Sequence, residues 1–333
     1  MTTAQALTGS ITGAIAVRSA GELCRAVRRA DPGGPRIDLG SLDRVLAADA
    51  SRALLEVQAG TPWPVLAERV PHPAPALRAW AVRAGCVGQS VTENRPGPDG
   101  RPLVALVEAV SLVSPDGMLC RASRVRESEL FALAVGGLGL FGLIYSVTLR
   151  IDALARAATQ YRPPERLDLP AHPGGTPETG ALTLFVPPPA LDDFLGEARA
   201  LADAWRVPFA GIEASATHPE TETALRWAKQ PYAALTLQLA RPSRLGAQVR
   251  DLQLRGALID CAIRHGGSFP IATTPEATRA QIARCYPELA SLLDEKRRRD
   301  PDERLTTPWY CHHLRLLREA PPRVRWNAQA ASA

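Results

Sequence analysis

Apolar residues in the first half of the chain recur at the spacings of both strands and helices. Residues 14–30, AIAVRSAGELCRAVRRA, predict a short strand, an N-cap at Ser19 and a helix with Leu23 and Val27 on one face. Residues 107–122 alternate on both sides of Ser-Pro-Asp-Gly, which predicts a β-hairpin. Also predicted are strands at 37–39, 54–58 and 144–151, a short helix capped by Thr61, a loop at 86–100 and a helix at 127–135.

The second half of the chain has a different pattern. Residues 153–180 are rich in proline, glycine and alanine, which is typical of a linker. Strands and helices then follow in mixed order, which predicts an antiparallel sheet with helices on one face. A strand is expected at 268–273, one long helix at 274–298, and an extended segment at the Cys311-His312-His313 run.

Composition and charge exclude several classes of function. The chain has 333 residues, room for two domains, with 22% charged residues and a net charge of +5. Lysine occurs only at Lys229 and Lys296, a preference for arginine that we attribute to genome composition. Basic residues form no stripe interleaved with aromatic residues, so we expect no nucleic-acid partner. We also expect no membrane span, since no apolar run approaches roughly 20 residues.

The cysteines give no metal or redox motif. None of the six lies close enough to another to suggest a zinc knuckle or a Cys-x-x-Cys pair. Adjacent histidines on an extended segment point to opposite faces, so we expect no metal at His312 and His313 either. Without a disulfide framework or a signal peptide, the cytoplasm is the expected location.

A glycine-rich run, GGLGLFG at 136–142, satisfies the dinucleotide pattern G-x-G-x-x-G. A nicotinamide site needs a strand before the glycines and a helix after them, and here the predicted order is the reverse. We therefore reject a nicotinamide dehydrogenase. A helix-to-strand connector needs one or two glycines, so four of them favour a backbone that lies close to a flat or phosphorylated ligand.

Four stretches of the chain resemble the FAD-linked oxidases of the vanillyl-alcohol oxidase / p-cresol methylhydroxylase superfamily. The most specific is VEAVSLVSPDGMLCRASRVRESELFALAVGGLGLFGLIYSVTLRI, which is similar to a long ordered motif of that family. The others are IDLGSLDRVLAADASRALLEVQAGTPWPVL, CVGQSVTENRPG and CYPELASLLDEKRRRDPDERLTTPWYCHH. Sugar-type oxidases, such as those acting on aldonolactones, are the most similar through the last stretch.

The resemblance implies an α+β fold and a non-covalently bound FAD. Two small α/β subdomains of the PCMH type would form an FAD-binding domain at 1–155. Residues 156–294 would form an α+β substrate domain with an antiparallel sheet, and 295–333 would return to the first domain. The residues implied in cofactor binding are Gly88, Gln89, Ser90, Asn94, Gly97, Gly136, Gly137, Gly139, Gly142 and Ile144.

Three departures from the family pattern bear on this expectation. The glycine-rich loop that binds the pyrophosphate is missing, because Arg29 is followed almost directly by Ile37-Asp38. A paired glycine of the flavin loop is replaced by Gln89. The stretch 268–274, which in some relatives carries a Lys or Tyr facing the flavin, reads SFPIATT and offers only hydroxyls.

The resemblance therefore leads to two hypotheses. The first is an FAD-dependent oxidoreductase that transfers hydride to the flavin from a C–H beside a hydroxyl on a sugar, polyol or related alcohol, with an unknown electron acceptor. The alternative is a degenerate homologue without redox activity, acting as a binding or partner protein or as a non-redox biosynthetic enzyme. No catalytic residue is assigned, and Lys296 and His265 are candidates only.

Overall fold

A computed structural model describes residues 14–32, 36–70, 75–167, 179–207, 209–240 and 245–318. The described residues begin with β1 (Ile15–Ala16), α1 (Ala20–Arg28) and β2 (Ile37–Asp38), and the two strands pair in parallel. Ser19 is the N-cap of α1, and its hydroxyl accepts the Glu22 amide at 3.2 Å, as predicted.

A five-stranded sheet follows, in which every neighbouring pair is antiparallel and the order is β3-β4-β7-β5-β6. The predicted hairpin is confirmed as the β5–β6 pair. The strands are β3 (Val45–Asp49), β4 (Leu54–Gln58), β5 (Val107–Val113), β6 (Leu119–Ser123) and β7 (Leu143–Arg150).

Five helices accompany this sheet, and they correct two loop predictions. The stretch 86–100 contains a helix because Val87 and Val91, four residues apart, bury one face of it. The expected linker at 153–180 contains a helix and a short strand, while its residues 168–178 lie outside the described ranges. The helices are α2 (Trp63–Ala67), α3 (Pro75–Ala84), α4 (Val87–Thr92), α5 (Ser128–Ala134) and α6 (Ile151–Thr159).

The second half forms the antiparallel sheet that the sequence predicts, in the order β8-β10-β11-β9. Two helices, α7 (Leu191–Trp205) and α8 (Leu245–Arg264), pack against each other beside it. The strands are β8 (Glu165–Leu167), β9 (Thr179–Val186), β10 (Phe209–Thr217) and β11 (Tyr232–Ala240). The chain is thus a mixed α+β protein with antiparallel sheets. The three-part domain division stays a prediction.

The predicted long helix at 274–298 is wrong, because the chain breaks at Tyr286-Pro287 into α9 (Arg279–Cys285) and α10 (Leu289–Arg299). Proline cannot donate the amide that a continuous helix needs at that position. The buried Tyr286 hydroxyl instead donates to the carbonyl of Phe269.

Two further predictions near the C-terminus are corrected. No strand forms at 268–273, where only Ser268 pairs with Phe185 through an isolated bridge. Pro270 accounts for this, since it has no amide to extend the ladder. The run from Cys311 to His313 is not extended but lies in α11 (Pro308–Arg318).

One prediction in the first half of the chain is also corrected. Thr61 does not cap α2, whose N-cap is Pro62.

A small apolar cluster holds the N-terminal unit, which comprises β1, α1 and β2, to the remainder of the protein. Its members come from α1, from the segment after β2, from β5 and from the C-terminal region. The cluster comprises the buried residues Val17, Leu23, Ala26, Val27, Leu42, Val113 and Leu305. Since β1 and β2 have only two residues each, this contact rather than strand pairing stabilises the unit.

Lys296 and Asp300 form a fully buried ion pair at the end of α10. Asp300 also accepts the backbone amides of Arg304 at 3.0 Å and Leu305 at 2.9 Å, and the Lys296 ammonium lies 5.3 Å from the centre of the Tyr310 ring. Lys296 is thus buried inside the protein and is not on the solvent-facing side of α10. The pair fixes the turn that carries Leu305.

We predict that Lys296→Met lowers the free energy of unfolding by about 3–5 kcal/mol, because it leaves the Asp300 carboxylate buried without its cation. Arg156→Met is the matched control: Arg156 pairs with Asp152 at 2.8 Å with the same four-residue spacing, but on the surface. Its loss should stay below about 1 kcal/mol. Guanidinium unfolding measures both, and equal losses would contradict this assignment.

The burial of His313 allows a prediction of how the stability of the protein depends on pH. Burial lowers the pKa of His313, whose Nδ1–H donates to the Trp309 carbonyl at 2.8 Å and whose Nε2 has no hydrogen-bond partner among the described residues. The folded state thus prefers the neutral ring. This contribution to stability is complete above about pH 6.5, the ordinary pKa of histidine, and is lost as the pH falls through that value towards the lowered one.

We expect the unfolding temperature to fall more steeply between about pH 7.5 and 5 in the wild type than in His313→Gln. His218→Gln, which alters an exposed side chain, should keep the wild-type slope. Thermal unfolding monitored by circular dichroism across this pH range gives the comparison. Parallel curves for the wild type and His313→Gln would show that His313 is not the group responsible.

Candidate cofactor site

The structure brings together the two loops that the resemblance assigns to FAD. The amide of Gly136 donates to Val91 at 3.0 Å, and the amide of Leu138 donates to Thr92 at 3.0 Å. A β-carbon on Gly136, which has φ +75°, would lie 3.1 Å from the β-carbon of Asn94. The glycine-rich run therefore rests directly on the end of α4.

The start of α4 is buried among the protein's own atoms. The Gly88 amide donates to the Ala59 carbonyl at 2.7 Å, and a β-carbon on Gly88 would lie 2.6 Å from the β-carbon of Ala59. The Ser90 hydroxyl lies 2.6 Å from the Ala84 carbonyl, to which it donates, and accepts the Trp63 indole N–H at 3.1 Å. Gly88 and Ser90 thus have internal partners.

Asn94 joins three segments of the chain. Its side-chain oxygen accepts the Val104 amide at 2.8 Å, and its backbone carbonyl accepts the indole N–H of Trp227 at 2.8 Å. Its side-chain nitrogen lies 3.4 Å from a carboxylate oxygen of Glu220. Asn94 is fully buried with φ +48°, a left-handed conformation that asparagine tolerates better than most residues. Its hydrogen-bonding groups are all engaged within the protein.

The glycines at 137 and 142 are explained by close packing, and Gly139 is not. A β-carbon on Gly137 would lie 1.7 Å from the Leu133 carbonyl oxygen. On Gly142 it would lie 2.2 Å from the Leu112 side chain. On Gly139, which has φ +76°, it would meet nothing within 4 Å. Only Gly139 presents open space above its backbone.

The remaining residues implied in cofactor binding are also accounted for. The Gln89 amide donates to Glu93 at 3.1 Å along the surface of α4. Gly97 begins a tight turn in which its amide donates to Arg101 at 2.7 Å. Ile144 is buried in β7 and pairs with β5. None of these interactions requires a ligand.

A connection from the second sheet covers this region. Residues 218–231, which link β10 to β11 and are here called the crossing loop, lie against both predicted cofactor loops. The His218 amide donates to Gly100 at 3.1 Å, and the Ala224 amide donates to Ala132 at 2.9 Å. The crossing loop thus joins the two halves of the protein by backbone hydrogen bonds.

Glu220 organises the crossing loop. Its carboxylate accepts the backbone amides of Glu222 at 2.5 Å and Thr223 at 3.0 Å, as well as the Thr223 hydroxyl. Its own amide donates to the Ala228 carbonyl at 3.0 Å. Glu222 pairs with Arg124 of the first half, which adds a charged contact at the edge. The loop is therefore held in one shape by local hydrogen bonds.

Trp227 fills the contact between the two halves. Its ring stacks on Phe185 with 4.8 Å between centres, and Phe185 stacks in turn on Tyr232 at 5.8 Å. All three side chains are buried. The tryptophan thereby connects the aromatic core of the second sheet to the Asn94 carbonyl. Trp227 and Tyr232 are therefore core residues of the second half.

Lys296 and His265 are not brought into this region by any contact of the described residues. Lys296 is paired with Asp300, as described above. His265 follows the end of α8 and lies 3.1 Å from Glu197 of α7 through its Nε2. The sequence signals for Trp227 and Glu220 were weak, because neither lies in a motif.

Two surface depressions, with volumes of about 260 and 380 Å³, lie elsewhere. The first is lined by Arg44, Thr61 and Arg69 among others, and the buried Thr61 hydroxyl has no hydrogen-bond partner in the part of the chain that the structure describes. The second is lined by residues of α11. Neither contains a residue that the resemblance assigns to FAD.

The residues present do not fit an FAD in this arrangement. The Gly88, Gly97 and Gly136 amides donate to backbone carbonyls, and the side chains of Ser90 and Asn94 are hydrogen-bonded within the protein. Trp227 of the crossing loop occupies the contact between the halves. β1 and β2 pair directly, and the described residues hold no glycine-rich pyrophosphate loop of the kind that the resemblance implies before Ile37-Asp38. FAD binding stays a prediction that this geometry does not favour.

Comparison with known proteins supports a distant relationship. No family model matches the chain. The mitochondrial L-galactono-1,4-lactone dehydrogenase 1 of Oryza sativa subsp. japonica is 31% identical over 117 residues, 34% of this chain. The match spans 20% of the length of that enzyme. The chain is thus similar in part to a sugar-lactone oxidoreductase.

No helix in the described residues combines the length and the apolar character needed to cross a membrane. The cytoplasmic location stays a prediction.

We predict that Gly137→Ala lowers the free energy of unfolding by about 3 kcal/mol or more, because the new methyl group collides with a backbone carbonyl. Gly139→Ala, two residues away, should cost only about 1–2 kcal/mol for its left-handed backbone. Urea unfolding of the two variants tests whether close packing is the reason that glycine is needed at position 137 and not at position 139. A larger loss for Gly139→Ala would contradict it.

Proposed function

We propose that this chain is a non-redox homologue of the sugar-lactone dehydrogenases. It keeps the two-sheet fold and serves as a binding or partner protein. The observation that carries the proposal is the contact of Trp227 with Asn94, which seals the two halves where the resemblance places the flavin. A sealed contact leaves no face of a flavin open to a substrate.

The cost of opening this contact supports the proposal. Separation of the halves would break the hydrogen bonds from Trp227 to Asn94 and from Ala224 to Ala132, each worth roughly 0.5–1.5 kcal/mol. It would also expose the stacked rings of Trp227 and Phe185, at roughly 1.5–3 kcal/mol for a buried side chain of this size. A ligand that needs the open form loses about tenfold in affinity per 1.4 kcal/mol.

The absence of a pyrophosphate loop also lowers the expected affinity for FAD. Hydrogen bonds to charged groups contribute roughly 1.5–3 kcal/mol each, and a loop of amides normally supplies several of them to a diphosphate. Arg29 and Arg36 are cations that flank that position in the sequence. Flexible cations do not replace a preorganised set of amide donors.

A second candidate is the FAD-dependent oxidation of a sugar lactone, or of a related sugar or polyol. The partial identity to the L-galactono-1,4-lactone dehydrogenase favours it, as do the juxtaposed loops and the open backbone at Gly139. This candidate requires the crossing loop to move aside when the cofactor binds.

The proposal predicts that the purified protein is colourless and that excess FAD causes neither a spectral change nor a rise in unfolding temperature. Visible absorbance, flavin fluorescence and thermal unfolding measure this. Trp227→Ala separates the two candidates. If the loop is a movable cover, the variant binds FAD more tightly than the wild type, because less contact must be broken. If the flavin site is lost, neither protein binds FAD.

Trp205→Ala is the control, since it removes an indole at the end of α7, outside the crossing loop. It should leave FAD binding unchanged in either case. A yellow wild-type protein, or FAD-dependent turnover of a sugar lactone, would refute the non-redox proposal and establish the second candidate.

A further inference from the structure

We propose that Glu197, Cys261 and His265 bind a zinc ion between α7 and α8. One ligand atom from each residue, a carboxylate oxygen, a thiol sulfur and an imidazole nitrogen, lies within 4.8 Å of the other two. No other group of three histidine, cysteine or acidic residues approaches this closely within the described ranges. The ligands come from two helices far apart in the sequence.

Helical spacing puts two of the ligands on one face. Cys261 lies in the last turn of α8 and His265 follows four residues later, and the His265 amide still donates to the Cys261 carbonyl at 3.2 Å. Residues four apart on a helix are neighbours on its surface. The pair therefore faces α7, where Glu197 completes the group.

The end of α8 is held firmly, which preorganises His265. Gly266 ends the helix with φ +73°. Gly267 donates its amide to the Ala262 carbonyl at 2.7 Å, and a β-carbon there would lie 2.2 Å from the Phe185 carbonyl oxygen. The backbone on both sides of the imidazole is thus fixed by close contacts, and a ligand held in place loses less entropy on binding.

Arg264 orients the carboxylate and does not block it. Its guanidinium pairs with Oε1 of Glu197, while Oε2 lies 3.1 Å from the His265 Nε2. One carboxylate oxygen is therefore fixed by a cation and the other is directed at the proposed ion. Such a partner behind a ligand is a recurrent feature of metal sites.

The chemistry of the donors indicates the metal. A thiolate with an imidazole and a carboxylate suits zinc, and three protein ligands leave a fourth position for water or a small anion. Zinc–ligand bonds of about 2.0–2.3 Å at tetrahedral angles place the ligand atoms closer together than the 4.8 Å limit of this group, so the ligands must adjust when the ion binds. Rotation of the Glu197 side chain, which is 40% exposed, provides this movement and admits the ion from solvent.

Binding replaces two interactions of the metal-free protein. The ion displaces the thiol proton of Cys261 to solvent and takes the place of the hydrogen bond between His265 and Glu197. Cys261 is fully buried, and burial together with the Glu197 charge raises the pKa of its thiol to about 12. A divalent cation at this position stabilises the thiolate that its surroundings otherwise disfavour.

Cobalt(II) provides a visible probe for the site. We expect the chelator-treated full-length protein, titrated with Co²⁺, to develop thiolate-to-cobalt charge-transfer absorption that saturates at one ion per chain. Zn²⁺ should abolish this absorption by competition. Cys261→Ser should remove it, and His265→Gln should weaken Zn²⁺ binding at least about tenfold. Cys311→Ser is the control, because that cysteine is exposed and lies outside the group.

Folding of each variant is checked by thermal unfolding without metal. If Cys261→Ser does not fold, Glu197→Gln and His265→Gln carry the test through the rise in unfolding temperature that Zn²⁺ causes in the wild type and not in them. The proposal is overturned by absence of the charge-transfer band at one equivalent of Co²⁺. It is equally overturned by a band that Cys261→Ser keeps and Cys311→Ser loses.

Discussion

The rest of this structure depends on the hydrogen bonds of one buried amide, Asn94. It ties the end of α4 to the Val104 backbone, to the Glu220 carboxylate and to the indole of Trp227. A buried polar group without partners is costly, so the surrounding chain must keep all of these contacts together. The need to keep these hydrogen bonds fixes the position of the crossing loop against the first half. As a result, side chains of the crossing loop fill the space between the halves.

The contacts around Asn94 also bear on how this chain compares with the redox enzyme to which it is similar. A sequence similarity over a third of the chain links it to a sugar-lactone dehydrogenase, and the two glycine-bearing loops lie against each other. The amides of Gly88, Gly97 and Gly136, however, are bonded to backbone carbonyls of the protein. A fold can keep its architecture after its site has changed, because core packing and ligand contacts depend on different residues. The relationship and the closed geometry are therefore compatible.

Local signals in the sequence predict local structure well in this protein. The Ser19 cap, the β5–β6 hairpin and the second antiparallel sheet follow from patterns a few residues long. The break at Tyr286-Pro287 was missed by the predicted long helix, although proline is itself a signal that interrupts a helix. The position of Trp227 between the two halves could not be predicted from the sequence, because it depends on a contact with Asn94, 133 residues away. The Cys-x-x-x-His spacing of α8 was visible, but its carboxylate partner lies on another helix.

Leu305 has a consequence for how the chain is made. It belongs to the same apolar cluster as Val17 and Leu23, so the first helix completes its packing with a residue far downstream in the sequence. During synthesis, which proceeds from the N-terminus, the part of that apolar surface which Leu305 covers stays exposed until Leu305 has left the ribosome. A product terminated before Leu305 would keep that part exposed. Chaperones and proteases that recognise exposed apolar residues would thereby distinguish chains that include Leu305 from chains that lack it.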